Sequence, residues 1–264
     1  MSRRGKLINL FISYAFLIKS SISPMLWNNS HPPSFLLKSK LFKFFFLLRK
    51  LYLTRCQSKH YSQFAEDISI SRLFPKKYKG IFVDVGCFHP KKYNNTWLLY
   101  KKGWSGVNID IDPIKITAFN FVRRKDHNVA CAIGSVRGEI EYYTRGFYSL
   151  TTSTSKGFAS NSNAYIKKET TSKRLDDVLE ISPIANKQID FLSIDAEGND
   201  FEVLKSLNFQ VYQPIVVAIE SNKTILEDVL KTQEYIFLKK IGYDLVAWCG
   251  LTLILKNKAF TRQK

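Results

Sequence analysis

Two apolar runs one helix apart, Ile81 to Gly86 (IFVDVG) and Trp104 to Asp112 (WSGVNIDID), constrain this chain more than any other feature. The first is apolar at four of its five strand positions and does not alternate apolar with polar residues, as a strand with one wet face would. Strands of this kind are covered by helices on both sides and belong to a parallel sheet. The rhythm continues downstream. Strands are expected at 81–85, 106–111, 128–133, 139–144, 189–194, 214–220, 243–248 and 251–256. Helices at about 93–102, 113–124, 172–181, 199–206 and 224–241 separate most of them. Ahead of these, Ser62 to Leu73 reads as a helix with Ser62 as N-cap and Glu66 and Asp67 near the positive end of its dipole. The alternation predicts a doubly wound, mostly parallel α/β sheet. Only Cys249-Gly250 separates the last two strands, so they are expected to form an antiparallel hairpin.

The first strand ends in Asp84-x-Gly86 and the second in Asp110 and Asp112. Such ends suit a nucleoside-bearing ligand: the glycine admits it to the backbone, and the carboxylate grips ribose hydroxyls. The first loop holds one glycine where a pyrophosphate cradle needs three. That deficit favours S-adenosylmethionine, which has no phosphate, over NAD or FAD.

The net charge of +18 is concentrated at one end. No Asp or Glu precedes Glu66, whereas eleven Lys and Arg do, from Arg3 to Lys59. The charge therefore describes an N-terminal arm, residues 1–60, and not the domain expected over 61–264. In the arm, Leu7 to Ile18 is too short to span a bilayer, and no small-residue cleavage site follows it. A second block, Leu41 to Leu53 (LFKFFFLLRKLYL), sets Lys43, Arg49 and Lys50 beside a phenylalanine-rich face. A helix lying in an anionic membrane surface has this composition. Packing of the Phe face on the catalytic body and a true membrane anchor are the alternatives. Asn28 to Pro33 reads as a linker. The four cysteines form no C-x-x-C pair, and Cys131 and Cys249 lie in apolar runs as small core residues. Cytoplasmic placement, peripheral at the inner membrane face, is expected.

Five motifs occur in order: Ser62-Gln63-x-x-Glu66-Asp67, FVDVGCFHP at 82–90, NNT at 94–96, GWSGVNID at 103–110 and FLSIDAEG at 191–198. Together they resemble the FkbM family of S-adenosylmethionine-dependent O-methyltransferases, over roughly residues 61–256. The chain departs mildly from the family pattern at Cys87, Phe88 and Asn94. The resemblance implies a class I methyltransferase (Rossmann-like) fold, with a seven-stranded sheet ending in the antiparallel hairpin.

The cofactor-binding residues expected on this basis begin with Asp84, Gly86, Cys87 and Phe88 in the first loop. Asp84 would organise the loop and meet the cofactor's amino group, or merely cap a turn. Gly86 would give room to the methionine portion. Asn95 and Thr96 would offer amides to the cofactor carboxylate, with helix capping as an equal contender. Asp110 would accept both ribose hydroxyls, with Ile111 against the adenine and Asp126 reaching the adenine amine. Asp112-Pro113 reads more simply as helix-start chemistry.

The segment Asp195-Ala196-Glu197-Gly198 bears on reaction type. Methyltransferases acting on base nitrogens usually carry an aromatic-proline tetrapeptide there to stack a flipped base. Two acids suit a hydroxyl acceptor, since a carboxylate can take the alcohol proton. Asp195 is placed toward the sulfonium, and toward the methyl as a catalytic group. Glu197 is placed toward the acceptor, or caps the next helix. His89, held by Pro90, is the other proton-handling candidate, with a structural role as the alternative. No metal site is expected, although Asp195, Glu197 and Glu220 could hold a divalent cation that binds a sugar diol. Residues 142–155 (YYTRGFYSLTTSTS) are a candidate acceptor lid or an exposed hairpin turning at Arg145-Gly146.

The expected partners are a sugar or glycan acceptor and an anionic membrane surface. A nucleic-acid methyltransferase and a catalytically idle binding module are the competing classes. Most of the excess charge lies outside the catalytic body, and Asp84 and Asp110 are both present, so neither is favoured.

Overall fold

The computed structural model describes residues 40–52, 58–150, 152–154 and 165–260. The apolar block Leu7 to Ile18 and the linker Asn28 to Pro33 lie outside them. The chain divides into two units, Met1–Ser58 and Lys59–Lys264. In the first, the second apolar block forms helix α1 (Lys40–Tyr52). Leu41, Phe44, Leu47 and Leu51 on it are each more than half exposed. Among the described residues no helix is long and apolar enough to cross a membrane.

The second unit runs α2 (Glu66–Arg72), β1 (Ile81–Val85), α3 (Trp97–Lys101), β2 (Ser105–Asp110), α4 (Pro113–Val122), β3 (His127–Ala130) and β4 (Ala132–Ile133). It continues with β5 (Gly138–Thr144), β6 (Thr152–Ser153), β7 (Ile166–Lys173), α5 (Leu175–Glu180), β8 (Phe191–Ile194) and α6 (Asp200–Lys205). It ends with β9 (Val216–Glu220), α7 (Leu226–Val229), α8 (Gln233–Lys240), β10 (Tyr243–Cys249) and β11 (Thr252–Asn257).

Seven strands form the main sheet in the order β10-β11-β9-β8-β1-β2-β3. All neighbours are parallel except β11, which is antiparallel to both β9 and β10. The terminal hairpin is therefore present, with its return strand inserted beside β9. At the centre, Leu255, Val217, Leu192, Val83 and Val107 stand at one level on successive strands. All five are fully buried and pack into one apolar cluster. The alternate residues Phe82, Phe191, Val216, Ala218 and Ile254 fill the opposite face with Ile70, Leu99 and Trp104. Both faces are dry, as continuous apolar strands require.

A smaller sheet, β4-β7-β5-β6, lies apart from the main one. Its strand β7 (IKKETTSK) was not anticipated, because it carries no run of apolar residues to signal a strand. The segment expected as one strand at 128–133 breaks at Cys131 and supplies β3 to one sheet and β4 to the other. The helix expected from Ser62 begins four residues later, behind Ala65 in a left-handed conformation. Ser62 instead exchanges hydrogen bonds with Asp67 (2.9 and 3.2 Å). The helix expected over 224–241 is two, α7 and α8, with Thr232 capping the second through Tyr235 N.

Candidate functional site

Strand order reverses between β1 and β8: the chain winds outward through β2 and β3, then returns to the other side of β1. Ligands in open α/β sheets bind beyond the carboxyl ends of the strands at such a switch point. A cavity of about 250 Å³ opens there. Gly86, Asp110, Asp195 and Glu220, one from the end of each of four strands, contribute to its wall.

Gly86 has φ +80°, and a Cβ there would lie 1.7 Å from the Asp195 carbonyl oxygen. The two strand ends thus approach so closely that only glycine fits. The demand comes from the protein's own backbone rather than from room for a methionine portion.

Asp84 is buried and does not line the cavity. Alternation along β1 turns it to the same face as Phe82, away from Val83 and Val85. Its Oδ2 accepts Thr96 Oγ1 (2.9 Å) and Asn94 Nδ2 (3.1 Å). Burial pushes its carboxyl up to about 6, against Thr96, Arg123 and Asn94, which favour the ionised form. Of its two expected roles, organising the loop is what the contacts do; a direct meeting with the cofactor finds no geometry. Thr96 is likewise enclosed, its amide donating to Asn94 Oδ1 (3.0 Å), so that amide is not offered to a ligand. Asn95 does line the cavity, and its Nδ2 donates to Ser193 Oγ (3.2 Å).

Beneath this loop lies Arg123, which no local motif singles out. It is fully buried and donates to Asp126, Thr96 Oγ1 and the Pro90 carbonyl. Asp126 also accepts Gly106 N (3.1 Å) and Asn108 Nδ2 (3.1 Å). With its carboxylate so engaged behind the wall, Asp126 does not reach an adenine amine.

Asp110 does face the cavity, beside Ile111 and Phe88. Its Oδ1 accepts Asp112 N (2.9 Å), and its Oδ2 accepts Phe88 N and Lys115 Nζ (3.2 Å each). Asp112 caps α4 through Ile114 N (3.0 Å) ahead of Pro113, as its sequence context suggested. Cys87 points away from the cavity into a small cluster with Ile116 and Phe119. Cys131, read as a core residue, is buried but also reaches the cavity wall.

The other end of the cavity is acidic. Asp195 and Glu220 follow the paired residues Ile194 and Ile219 or end their strand, so the two carboxylates stand side by side. Solvent reaches Asp195 through the cleft, yet protein surrounds it. Burial first, then Glu220, Glu197 and Asp200, hold its carboxyl well above the usual range, and a hydrogen bond with Glu220 adds to this. Burial and Glu220 likewise raise Glu197 to about 7. A neighbouring carboxylate this close favours the protonated form of Asp195. Among the described residues no group of three or more His, Cys, Asp or Glu is arranged to hold a metal ion, so the cation alternative gains no geometry.

Glu197 does not cap α6. Asp200 holds the loop instead, accepting Ala196 N (2.8 Å) and Gly198 N (3.2 Å). Glu197 adopts φ +49°, rare outside glycine, and its carbonyl accepts Ser153 Oγ (2.7 Å). Phe88 (φ +44°) and Tyr148 (φ +57°) are in the same region of conformation. Strained residues gathered at one cleft fit a site held in a set geometry.

Within 142–154 the chain forms a hairpin, but its connection runs from Arg145 to Thr151 rather than turning at Arg145-Gly146, and its paired ends are buried. β5 and β6 pair antiparallel, and Leu150, Thr152, Ser153 and Thr154 line the cavity. His89 does not line it. Its Nδ1 accepts the Lys91 and Lys92 amides (3.0 Å each), and burial with those two lysines lowers its pKa. His89 therefore fixes a turn, and its ring packs on Phe88 and Tyr148.

Sequence reasoning missed three wall elements. Gln63, Phe64 and Glu66 close the acidic end, with Glu66 held by Phe64 N (2.6 Å) and Thr252 Oγ1 (3.3 Å). Leu251 and Thr252 arrive from the terminal hairpin. Lys115 was legible in principle: it lies three residues after the cap Asp112, one helical turn back toward the strand end.

The donor set fits S-adenosylmethionine. An acceptor at Asp110 stands between the apolar Phe88 and Ile111, and carboxylates at the other end suit a cation. Among the described lining residues Lys115 is the one Lys or Arg.

The Methyltransferase FkbM domain matches residues 84–245. No curated protein matches the chain. Among solved structures, it is similar to a methyltransferase FkbM from Methylobacillus flagellatus KT, with TM-score 0.42 and 17% identity over 70% of this chain and 45% of that one. The chain thus spans less than half the length of that relative. A TehB-like SAM-dependent methyltransferase from Corynebacterium glutamicum ATCC 13032 gives TM-score 0.38 and 13% identity over 83% of this chain and 100% of that one. A precorrin-6y C5,15-methyltransferase from Geobacter metallireducens GS-15 gives 0.37 and 11%, over 72% and 86%. The FkbM domain covers more than half of the sequence, and the chain belongs to the FkbM family of S-adenosylmethionine-dependent methyltransferases.

Proposed function

We propose that the protein is an O-methyltransferase that acts on a sugar hydroxyl of a cell-surface glycan or its lipid-linked precursor, working at the inner face of the membrane. The observation that carries this reading is Glu197. Its carboxyl titrates near 7 on the cavity wall, and no side-chain partner for it is found among the described residues. A base with a pKa near the working pH is suited to take a proton from an alcohol during transfer.

S-adenosylmethionine, when bound, supplies an electrophilic methyl group on a sulfonium. Phe88, Ile111 and Asp110 would hold its nucleoside end. Glu197 would receive the acceptor's O–H proton as the methyl passes from sulfur to the alcohol oxygen, the S–C bond breaking to leave S-adenosylhomocysteine. Asp195, beside Glu220 on the same wall, would face the sulfonium. Leu150, Thr152, Ser153 and Thr154 offer an apolar patch and hydroxyls to a sugar. The acidic wall disfavours a phosphate-bearing acceptor strand, which supports a glycan over a nucleic acid.

The test is transfer of isotope-labelled methyl from the donor by purified protein to isolated surface polysaccharide, and separately to DNA and RNA. Polysaccharide fragments should gain one methyl group, and the same fragments from cells lacking the gene should be lighter by one. Label in nucleic acid, or in none of the three, overturns the reading.

A further inference from the structure

A buried lysine stands inside the cofactor cavity, and neither the family match nor the reading of Asp110 as a ribose grip explains it. Lys115 is almost fully buried on α4, lines the cavity, and places its ammonium 3.2 Å from Asp110 Oδ2 and 5.4 Å from the centre of the Phe88 ring. Burying an ammonium is costly, and an apolar side chain would fill the same volume at less expense.

The hydrogen-bond capacity of Asp110 shows what the lysine is for. An ionised carboxylate has about four acceptor positions. Phe88 N and Lys115 Nζ occupy those of Oδ2, and Asp112 N occupies one on Oδ1. A single position remains, so Asp110 cannot accept from both hydroxyls of a vicinal diol. The ammonium has three N–H groups and donates one of them to Asp110. The ion pair therefore presents one acceptor and neighbouring donors on the same stretch of cavity wall.

We propose that Lys115 is a cofactor-binding residue: the Asp110–Lys115 pair takes the ribose diol together, one hydroxyl donating to Asp110 Oδ1 and the other accepting from Lys115 Nζ.

The test is calorimetry with S-adenosylhomocysteine and its 2′-deoxy and 3′-deoxy forms, on wild type, Lys115→Met and Asp110→Asn. Hydrogen bonds to charged groups predict that each deoxy form binds wild type on the order of ten- to a hundredfold more weakly. In Lys115→Met the penalty for one missing hydroxyl should vanish while the other stays; Asp110→Asn, which keeps a carbonyl acceptor but loses the charge, should shrink the other penalty without abolishing it. A purely structural lysine would lower affinity for all three ligands alike. Equal penalties in wild type and Lys115→Met, or a wild type indifferent to both deletions, overturns the proposal. Should Lys115→Met fail to fold, Lys115→Gln is read in the same cycle, since it removes the charge and keeps most of the volume. Wild-type protein that binds none of the three ligands refutes the assignment of the cavity to the cofactor, a different failure from loss of the hydroxyl pattern.

Discussion

Arg123 and Asp126 form an ion pair at 2.7 Å in which solvent reaches neither side chain. The arginine also donates to Thr96 Oγ1, which in turn donates to Asp84. A chain of polar contacts thus runs from β3's entry to the tip of β1 beneath the cofactor loop. Four aromatic rings, those of Phe82, Trp97, Tyr100 and Phe119, surround the guanidinium within 4.5–5.7 Å.

Removing one partner of such a pair leaves the other buried and uncompensated. Arg123→Met is expected to lose about 3–5 kcal/mol of stability, read by urea unfolding. Asp126→Asn should also destabilise, while the folded fraction keeps wild-type affinity for S-adenosylhomocysteine. A specific loss of affinity without loss of stability in Asp126→Asn would return this residue to the adenine site.

Gly86→Ala tests the closeness of β1 and β8. Its methyl would overlap the Asp195 carbonyl, in a conformation alanine resists. The strand ends must separate, at a cost of about 3–5 kcal/mol. For a domain of this size that lowers Tm by roughly 6–20 °C. An unaltered Tm would show that the approach is looser than 1.7 Å implies.

These two sites mark where the sequence stopped being informative. The mostly parallel sheet, the terminal hairpin and the placing of Asp110, Asp195 and Glu197 on one cavity follow from local signals: apolar runs, an acid at a strand end, a two-residue gap. Asp84 has the same local signal but the opposite outcome, and Asp126, which precedes β3 instead of ending a strand, also stays off the cavity. Which face Asp84 takes depends on the phase of alternation along β1, and the fate of Asp126 depends on an arginine three residues earlier folding under the loop. Strand β7 was silent because its residues are polar and mostly exposed. Lys115 and Glu66 come from helices, and Phe64 from the turn before one, whose seating on the sheet no local pattern specifies.

The acidic end of the cavity opposes stability near neutral pH. Burial and neighbouring acids raise the carboxyl of Asp195, and raise those of Glu197 and Asp200 to about 7 and 6. A carboxyl raised on folding contributes stability that is full below its unfolded pKa and lost as pH climbs through the folded value. Asp195→Asn should therefore melt several degrees above wild type at pH 8 and close to it at pH 4, with activity lost. Equal melting at pH 8 would show that the cluster is not strained.

Glu197 gives the reaction its own pH signature. As the proton acceptor it must be ionised, so kcat/KM should rise with pH and level off above about 7. Glu197→Gln should lower kcat by about 10²–10⁴-fold. Affinity for S-adenosylhomocysteine should stay within a few-fold of wild type. A variant with the rising limb intact and near-normal turnover would mean another group takes the proton.

The exposed face of α1 bears on where the enzyme works. Leu41, Phe44, Leu47 and Leu51 are 55%, 56%, 55% and 68% exposed, and recur at three- and four-residue spacing on a helix that also carries Lys40 and Lys43. Apolar side chains beside lysines suit the boundary between acyl chains and anionic headgroups. Full-length protein should sediment with vesicles containing phosphatidylglycerol and not with pure phosphatidylcholine, and should be released by high salt. Replacing Phe44, Leu47 and Leu51 together by Asp should abolish sedimentation and leave cofactor affinity unchanged. Binding that survives the triple replacement would move the attachment off this helix face.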